Sequence, residues 1–355
     1  MSPGFSPRKL LLPLVPLYRL ALEVREVRLR WGLEPVRRLR WPVVGIGNLS
    51  TGGAGKTPLA IALAKALTAR GFRVDVLSRG YGRRDQRPAR VNPDGTAEEF
   101  GDEPLLIARQ AAVPVYLARQ RYEAGLLAEA DAHGIAPCPI LSRSVRKGGK
   151  PQITTVDEDN RPPLVHLLDD GFQHRQLFRD VNILLLNRED WRDRLLPAGN
   201  LREPLHALRR ASVLAIPANQ QDLEAELRAW GWTGPVWRLR RTMEVPPIDG
   251  PAVAFCGIAR PGQFFAGLEA AGLRLGARIA FPDHHRYTAR DLDRLSTAAR
   301  AAGATALVTT EKDLVRLGGP FSSLPDGLAV RTASLQVEIE DEDAAVEWLA
   351  KRCWP

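Results

Sequence analysis

The chain has 355 residues, of which 45% are hydrophobic, and a formal net charge of +9. Its length allows two domains and its apolar content supports a packed core, which excludes an intrinsically disordered chain. Three cysteines (Cys138, Cys256 and Cys353) are too few and too scattered for a disulfide framework or a zinc site, and they point to a reducing compartment.

Residues 1–41 carry nine Arg or Lys against three Glu, so most of the positive excess lies at the N-terminus. The adjacent run LLLPLVPLYRLAL is broken by Pro13, Pro16 and Arg19. It is a poor spanning helix, which needs about 20 apolar residues, and it lacks the small-residue cleavage site of a secretory signal. From there, Leu17, Leu20, Ala21, Val24, Val27 and Trp31 recur at helical spacing, with arginines filling much of the remainder. Two readings fit: a basic amphipathic helix lying on an anionic membrane surface, or a helix packed on the protein's own core with a solvated basic face. No nucleic-acid motif accompanies the charge, so nucleic acid is not expected as a partner, and no obligate protein partner is evident.

Beyond residue 40, apolar β-type runs alternate with helical patterns. WPVVGIGNL reads as a strand, KTPLAIALAKALTAR as a helix ended by Gly71, and FRVDVLS as a strand. GDEPLLIARQAA, VPVYLA and RYEAGLLAEADA continue as helix, strand and helix; PLVHLLDD, VNILLLN and SVLAIP are further strands. This alternation predicts an α/β core over 41–235, a mostly parallel sheet of the P-loop NTPase type with helices on both faces. A Pro- and Gly-rich connection over 236–250 leads to a second series, from VAFCGIA through ATALVTT, expected to form a smaller α/β domain over 251–355. Residues 133–163 are a long, charged, Pro-rich insertion with a turn expected at KGGK, to which no function attaches.

The stretch from Ser50 to Thr57, STGGAGKT, joins the first strand to its helix. Backbone N–H groups must crowd around phosphates, and residues without a Cβ let them do so; the helix N-terminus adds positive potential. The usual pattern has glycine where Ser50 stands, but the crowded positions Gly52, Gly53 and Gly55 are kept, with Thr51 and Ala54 between and before them. Lys56 is expected to reach the β- and γ-phosphates, and the Thr57 hydroxyl to ligate Mg²⁺. The early lysine of partitioning ATPases is absent, since that position is Thr51. In TTEKDL, Lys312 is followed directly by Asp313, which breaks the guanine-reading spacing; ATP is therefore the expected nucleotide.

LVHLLDDGFQH ends an apolar run in Asp169 and Asp170. Carboxylates at the end of a buried parallel strand sit where a Mg²⁺-organising acid belongs. His174 reads equally well as a structural hydrogen-bonding residue. Asp102 and Glu103 open a helix, where capping and dipole charge are the simpler explanation. His284 and His285 are adjacent and point different ways, so at most one faces a cleft.

Taken together, VVGIGNLSTGGAGKTP, LSRGYGR, GDEPLLIAR, DDGFQH, LLPAGNLREPL, FCGIARPGQFF, FPDHHRYT and VTTEKDLVRL occur in an order that resembles the tetraacyldisaccharide 4'-kinases, from about residue 10 to 350. That family tolerates Ser at the first P-loop position. The resemblance implies ATP-dependent phosphorylation of the 4'-hydroxyl of an acylated disaccharide 1-phosphate, giving lipid IVA. It also implies attachment to the cytoplasmic face of the inner membrane through the N-terminal segment. It makes Asp102 the base on the sugar hydroxyl, paired with His284, and places Asp170 among the catalytic acids. Glu103 and Asp169 become expected Mg²⁺ ligands beside Thr57. The alternatives are a P-loop ATPase switch and a kinase acting on a soluble small molecule.

Overall fold

A computed structural model describes residues 7–52, 55–132, 163–318 and 328–354. The insertion's expected turn at KGGK, and Gly53 and Ala54 of the phosphate loop, lie outside the described residues. After a short 3₁₀ turn come α1 (Val15–Arg30), β1 (Val43–Asn48), α2 (Lys56–Ala69), β2 (Arg73–Ser78), β3 (Ala89–Arg90), α3 (Ala97–Phe100), α4 (Asp102–Ala111), β4 (Val115–Leu117) and α5 (Arg121–Ala132). Then follow β5 (Leu164–Leu168), β6 (Val181–Leu185), α6 (Arg188–Trp191), β7 (Val213–Pro217), α7 (Gln221–Ala229) and β8 (Val236–Glu244). The remainder is β9 (Ala252–Cys256), α8 (Pro261–Ala270), β10 (Leu275–Ala280), α9 (Ala289–Ala301), β11 (Ala306–Thr310), α10 (Glu311–Leu317), β12 (Ala329–Ile339) and α11 (Glu342–Cys353).

The strands form one 12-stranded sheet in the order β10-β9-β11-β12-β8-β7-β6-β1-β5-β2-β4-β3. β1 lies between β5 and β6, parallel to both, and all six of its residues are buried. That is why VVGIGN is continuously apolar or small instead of alternating. α2 covers this region with Leu59, Leu63 and Leu67, all buried, and closes at Gly71, whose φ is +84°.

The two halves join through β8 and β12, which pair antiparallel from Leu239↔Ile339 to Glu244↔Ser334. Residues 236–244, which fall in the expected connection, are thus a strand inside the sheet. β8 turns Trp237 and Leu239 into the core and Arg238 and Arg240 outward. The parallel strands of the second half run opposite to those of the first. Six strand-to-strand steps separate β1 from β9. At roughly 20–25° of twist per step, this rotation turns the C-terminal strand ends of both halves toward each other.

α1 presents an inverted amphipathicity. Its inward stripe is Val15, Tyr18, Leu22, Arg25, Glu26 and Leu29. The apolar stripe read from the sequence faces outward, with Leu17 64%, Leu20 56%, Val24 51% and Trp31 75% exposed. The helix therefore does not pack its apolar face on the protein's own core. No helix among the described residues is long and apolar enough to cross a membrane.

Gly47 of β1 lies against the loop after β5: a Cβ there would sit 2.5 Å from Phe172 Cβ and 2.9 Å from its backbone nitrogen. Gly47→Ala should cost about 1–3 kcal/mol through overpacking, read as a lower urea midpoint at unchanged slope. An unchanged midpoint would mean that this contact is loose.

Candidate active site

The loop after β1 folds back on itself. Gly55 caps α2 with φ +88°, a left-handed conformation that calls for glycine, and a Cβ there would also press on Arg241 Nη2 at 3.0 Å. Lys56 Nζ donates to Asn48 Oδ1 at 2.9 Å and lies 3.3 Å from Asp170 Oδ1. Ser50 is fully buried. Its hydroxyl accepts from Asn48 Nδ2 at 3.1 Å and its carbonyl accepts from Arg202 Nε at 3.1 Å. Ser50 thus shapes the loop from behind, while Thr51, Gly52, Gly55, Lys56 and Thr57 line a cavity of about 470 Å³.

The same cavity is lined by Asp102, Glu103, Asp169, Asp170 and His284, with Asp170 in contact with Lys56. Asp169 follows β5 directly, 3% exposed, with its Oδ2 accepting from Ser78 Oγ at 3.4 Å and its Oδ1 without a hydrogen-bond partner. Burial, reinforced by the negative charges of Glu103 and Asp170, pushes its carboxyl up to about 7. Asp170 adopts a left-handed φ of +47°, which Asp tolerates better than most residues. Burial alone would raise its carboxyl, but Lys56 and Arg202 outweigh burial and hold it far below the usual range. Arg202 grips it with two bonds of 3.1 Å and reaches Asn48 Oδ1 at 2.8 Å.

These oxygens suit a hard cation. An unpartnered buried carboxylate oxygen on Asp169, the Thr57 hydroxyl and the Glu103 carboxylate make an oxygen donor set of the kind Mg²⁺ takes. No group of three or more His, Cys, Asp or Glu among the described residues forms a metal cage.

Asp102 begins α4 and is buried; His284 follows β10 and is exposed to the cavity with a left-handed φ of +57°. His284 Nδ1 lies 3.3 Å from Asp102 Oδ2. Arg316 of α10 donates to the same carboxylate from Nε at 2.8 Å and from Nη2, and from Nη1 to the Gly257 carbonyl at 2.6 Å. Burial would raise the Asp102 carboxyl, yet the His284 bond and the Arg316 charge hold it far below its ordinary value. The bond to Asp102 in turn raises His284 above the usual imidazole value, against the effect of burial. His285 points away, 3.1 Å from Asp291 and stacked on Phe281, which makes it structural. His174 is half-buried; burial first, then the charges of Arg121, Arg179, Arg25 and Arg79, push it down to about 4.

A phosphate loop facing two acid clusters is the arrangement of a phosphoryl-transfer site, and comparison with known proteins specifies which. Residues 7–353 match the family model described as tetraacyldisaccharide-1-P 4'-kinase. The chain belongs to that family. It is 39% identical over 350 residues to the tetraacyldisaccharide 4'-kinase of Koribacter versatilis, covering 96% of this chain and 97% of that protein. The enzyme of the same name from Nitrobacter winogradskyi is 38% identical, with 96% and 92% covered. Among solved structures, the crystal structure of LpxK from Aquifex aeolicus in complex with ATP superposes with a TM-score of 0.70 at 31% identity, over 98% of this chain and all of that one.

Membership of the 4'-kinase family accounts for the fold and directs attention to residues that pattern reading passed over. Arg202, Lys312 and Arg316 all line the cavity. They lay inside the quoted segments LLPAGNLREPL and VTTEKDLVRL, but an arginine or lysine beside a helix reads as a solvated charge unless its acidic partner is known. Lys312 pairs with Glu103, and Arg121, 7% exposed, also borders the cavity. Asn48 was hidden as the last residue of an apolar strand.

The raised Asp169 carboxyl sets a sign for stability. Its ionised form is disfavoured in the fold relative to the unfolded chain, where Asp titrates near ~3.9. The metal-free protein should therefore lose stability as pH rises from about 4 to about 7. Asp169→Asn should abolish this loss, giving a urea midpoint above the parent's at pH 8 and closer to it at pH 5. Identical pH dependence in both proteins would contradict the burial argument.

Proposed function

We propose that this family member transfers the γ-phosphoryl group of ATP to the 4'-hydroxyl of a tetraacyldisaccharide 1-phosphate, at the cytoplasmic face of the inner membrane. The observation that carries this reading is the meeting of Asp102 with His284 on the wall of the cavity that also contains Lys56. The two come from distant parts of the chain, one on α4 and one after β10, and meet beside the phosphate loop's lysine.

In this mechanism the loop amides and Lys56 hold the triphosphate. Thr57, Glu103 and Asp169 would hold Mg²⁺, which when bound neutralises phosphate charge. Lys56, released from Asn48 and Asp170, turns to the phosphates, and Arg202 keeps Asp170 ionised. The acceptor hydroxyl forms its bond to the γ-phosphorus as the β–γ bridge breaks, and its proton passes to the Asp102–His284 pair. Because Arg316 makes Asp102 a weak base, His284 is the member that retains the proton, while Asp102 orients the ring and stabilises its charged form.

The outward apolar stripe of α1 and its flanking basic residues support an interfacial position for that helix, with the acyl chains of the substrate remaining in the bilayer. Among the arginines of α1, Arg25 turns inward to the Gln173 carbonyl at 2.6 Å. The interfacial charge thus falls to others such as Arg28, which is more than half exposed beside Glu34.

The test is label transfer from [γ-³²P]ATP. The parent should place label in an extracted glycolipid, and Asp102→Ala or His284→Ala should reduce this by about 10²–10⁴-fold. Label recovered only as free phosphate would point to a nucleotide switch, and full activity on a water-soluble acceptor without residues 1–40 to a soluble-substrate kinase. Since the pair accepts a proton only when His284 is neutral, kcat/KM should climb with pH through an ionisation above ~6.5. Asp102→Asn should move that rise to lower pH. A rise at the same pH in both proteins would remove His284 from this role.

A further inference from the structure

We infer that α1 is a positioning element for the phosphate loop, acting through Tyr18 and Arg25 on the residues that hold Asn48. The inward stripe of this helix touches the core at polar points. Tyr18 Oη donates to the Arg202 carbonyl at 2.9 Å and Arg25 Nη2 donates to the Gln173 carbonyl at 2.6 Å. Glu26 pairs with Arg175 beside them.

Both acceptors belong to residues whose own side chains grip the same strand end. Arg202 Nη2 donates to Asn48 Oδ1 at 2.8 Å, and Gln173 Nε2 donates to the Asn48 carbonyl at 2.8 Å. Asn48 Oδ1 is also the acceptor for Lys56. One backbone carbonyl and one side chain therefore separate the helix from the amide that holds the phosphate-binding lysine.

The placement is selective. A helix that only anchored the chain would need its apolar stripe and a flexible tether. This one buries none of its residues fully, leaves that stripe to the outside, and fixes its register by directional bonds to Arg202 and Gln173. If the outer face seats in a bilayer, as the proposed function requires, then any tilt of α1 is felt at Asn48. The positioning role itself does not require the bilayer.

The experiment uses the full chain with Tyr18→Phe, Arg25→Met, the pair together, and Arg25→Lys. Phosphoryl transfer to the acylated disaccharide is measured in detergent micelles, separating kcat from both KM values, and binding is measured by co-sedimentation with phosphatidylglycerol vesicles. The double variant should lose about fivefold or more in kcat, on the scale of two hydrogen bonds. Both KM values and vesicle binding should stay within about twofold, and Arg25→Lys should recover part of the kcat. Tyr18→Phe, which deletes one hydroxyl at a half-buried site, should lower kcat by itself with an unchanged melting temperature. An unchanged kcat, or a loss confined to acceptor KM and vesicle binding, would overturn the inference. Label in the lipid from the unaltered chain tests the kinase reading separately. Failure of that chain to bind vesicles would remove only the membrane reading, because the micelle kcat values still decide the coupling.

Discussion

The contact between α4 and α10 governs how the two halves of the sheet face each other. Asp102 and Glu103 of α4 meet Arg316 and Lys312 of α10, and Gln110 near the other end of α4 meets Glu311. Asp102 and Arg316 are each only 7% exposed, so breaking that pair strands a charge that the fold cannot solvate, while Glu103 and Lys312 keep some access to water. The same ion pairs that lock the halves together set the electrostatics of the cavity: Arg316 fixes Asp102 in its ionised form, and Asp102 in turn holds the ring of His284.

A second balance operates on the phosphate-loop side. Lys56 and Arg202 share Asn48 and Asp170 as partners. Both cations are thereby held in place and partly neutralised, and in the proposed mechanism a triphosphate would exchange one anionic partner for another. Asp169 behaves differently from its neighbour: it is more deeply buried, and no cation among the described residues bonds to it directly. Its buried, unpartnered oxygen and raised carboxyl are what single it out as a metal ligand in the proposed mechanism.

Much of this was legible in the chain. The order strand, glycine loop, Gly-Lys-Thr, helix identifies β1 and α2 because each residue type has a local reason to be there, and Asp169–Asp170 follow from where parallel strands end. His284 was singled out but could not be paired from periodicity; its partner came from family resemblance. The orientation of α1 was beyond reach, since spacing defines a stripe without saying which side the core lies on. β8 hid its place in the sheet because VWRLRRTME alternates polar and apolar residues beside a Pro- and Gly-rich stretch, and its partner β12 comes some 90 residues later. The arginines at 202 and 316 were invisible as site residues because their counter-charges are distant in sequence.

The account rests on Asp102 and His284 working as one unit. A double-mutant cycle on kcat/KM, with Asp102→Ala, His284→Ala and both, measures this directly. If they act together, the double variant should be little worse than the weaker single variant, within about threefold. Losses that simply multiply would show two independent contributions and contradict the pairing.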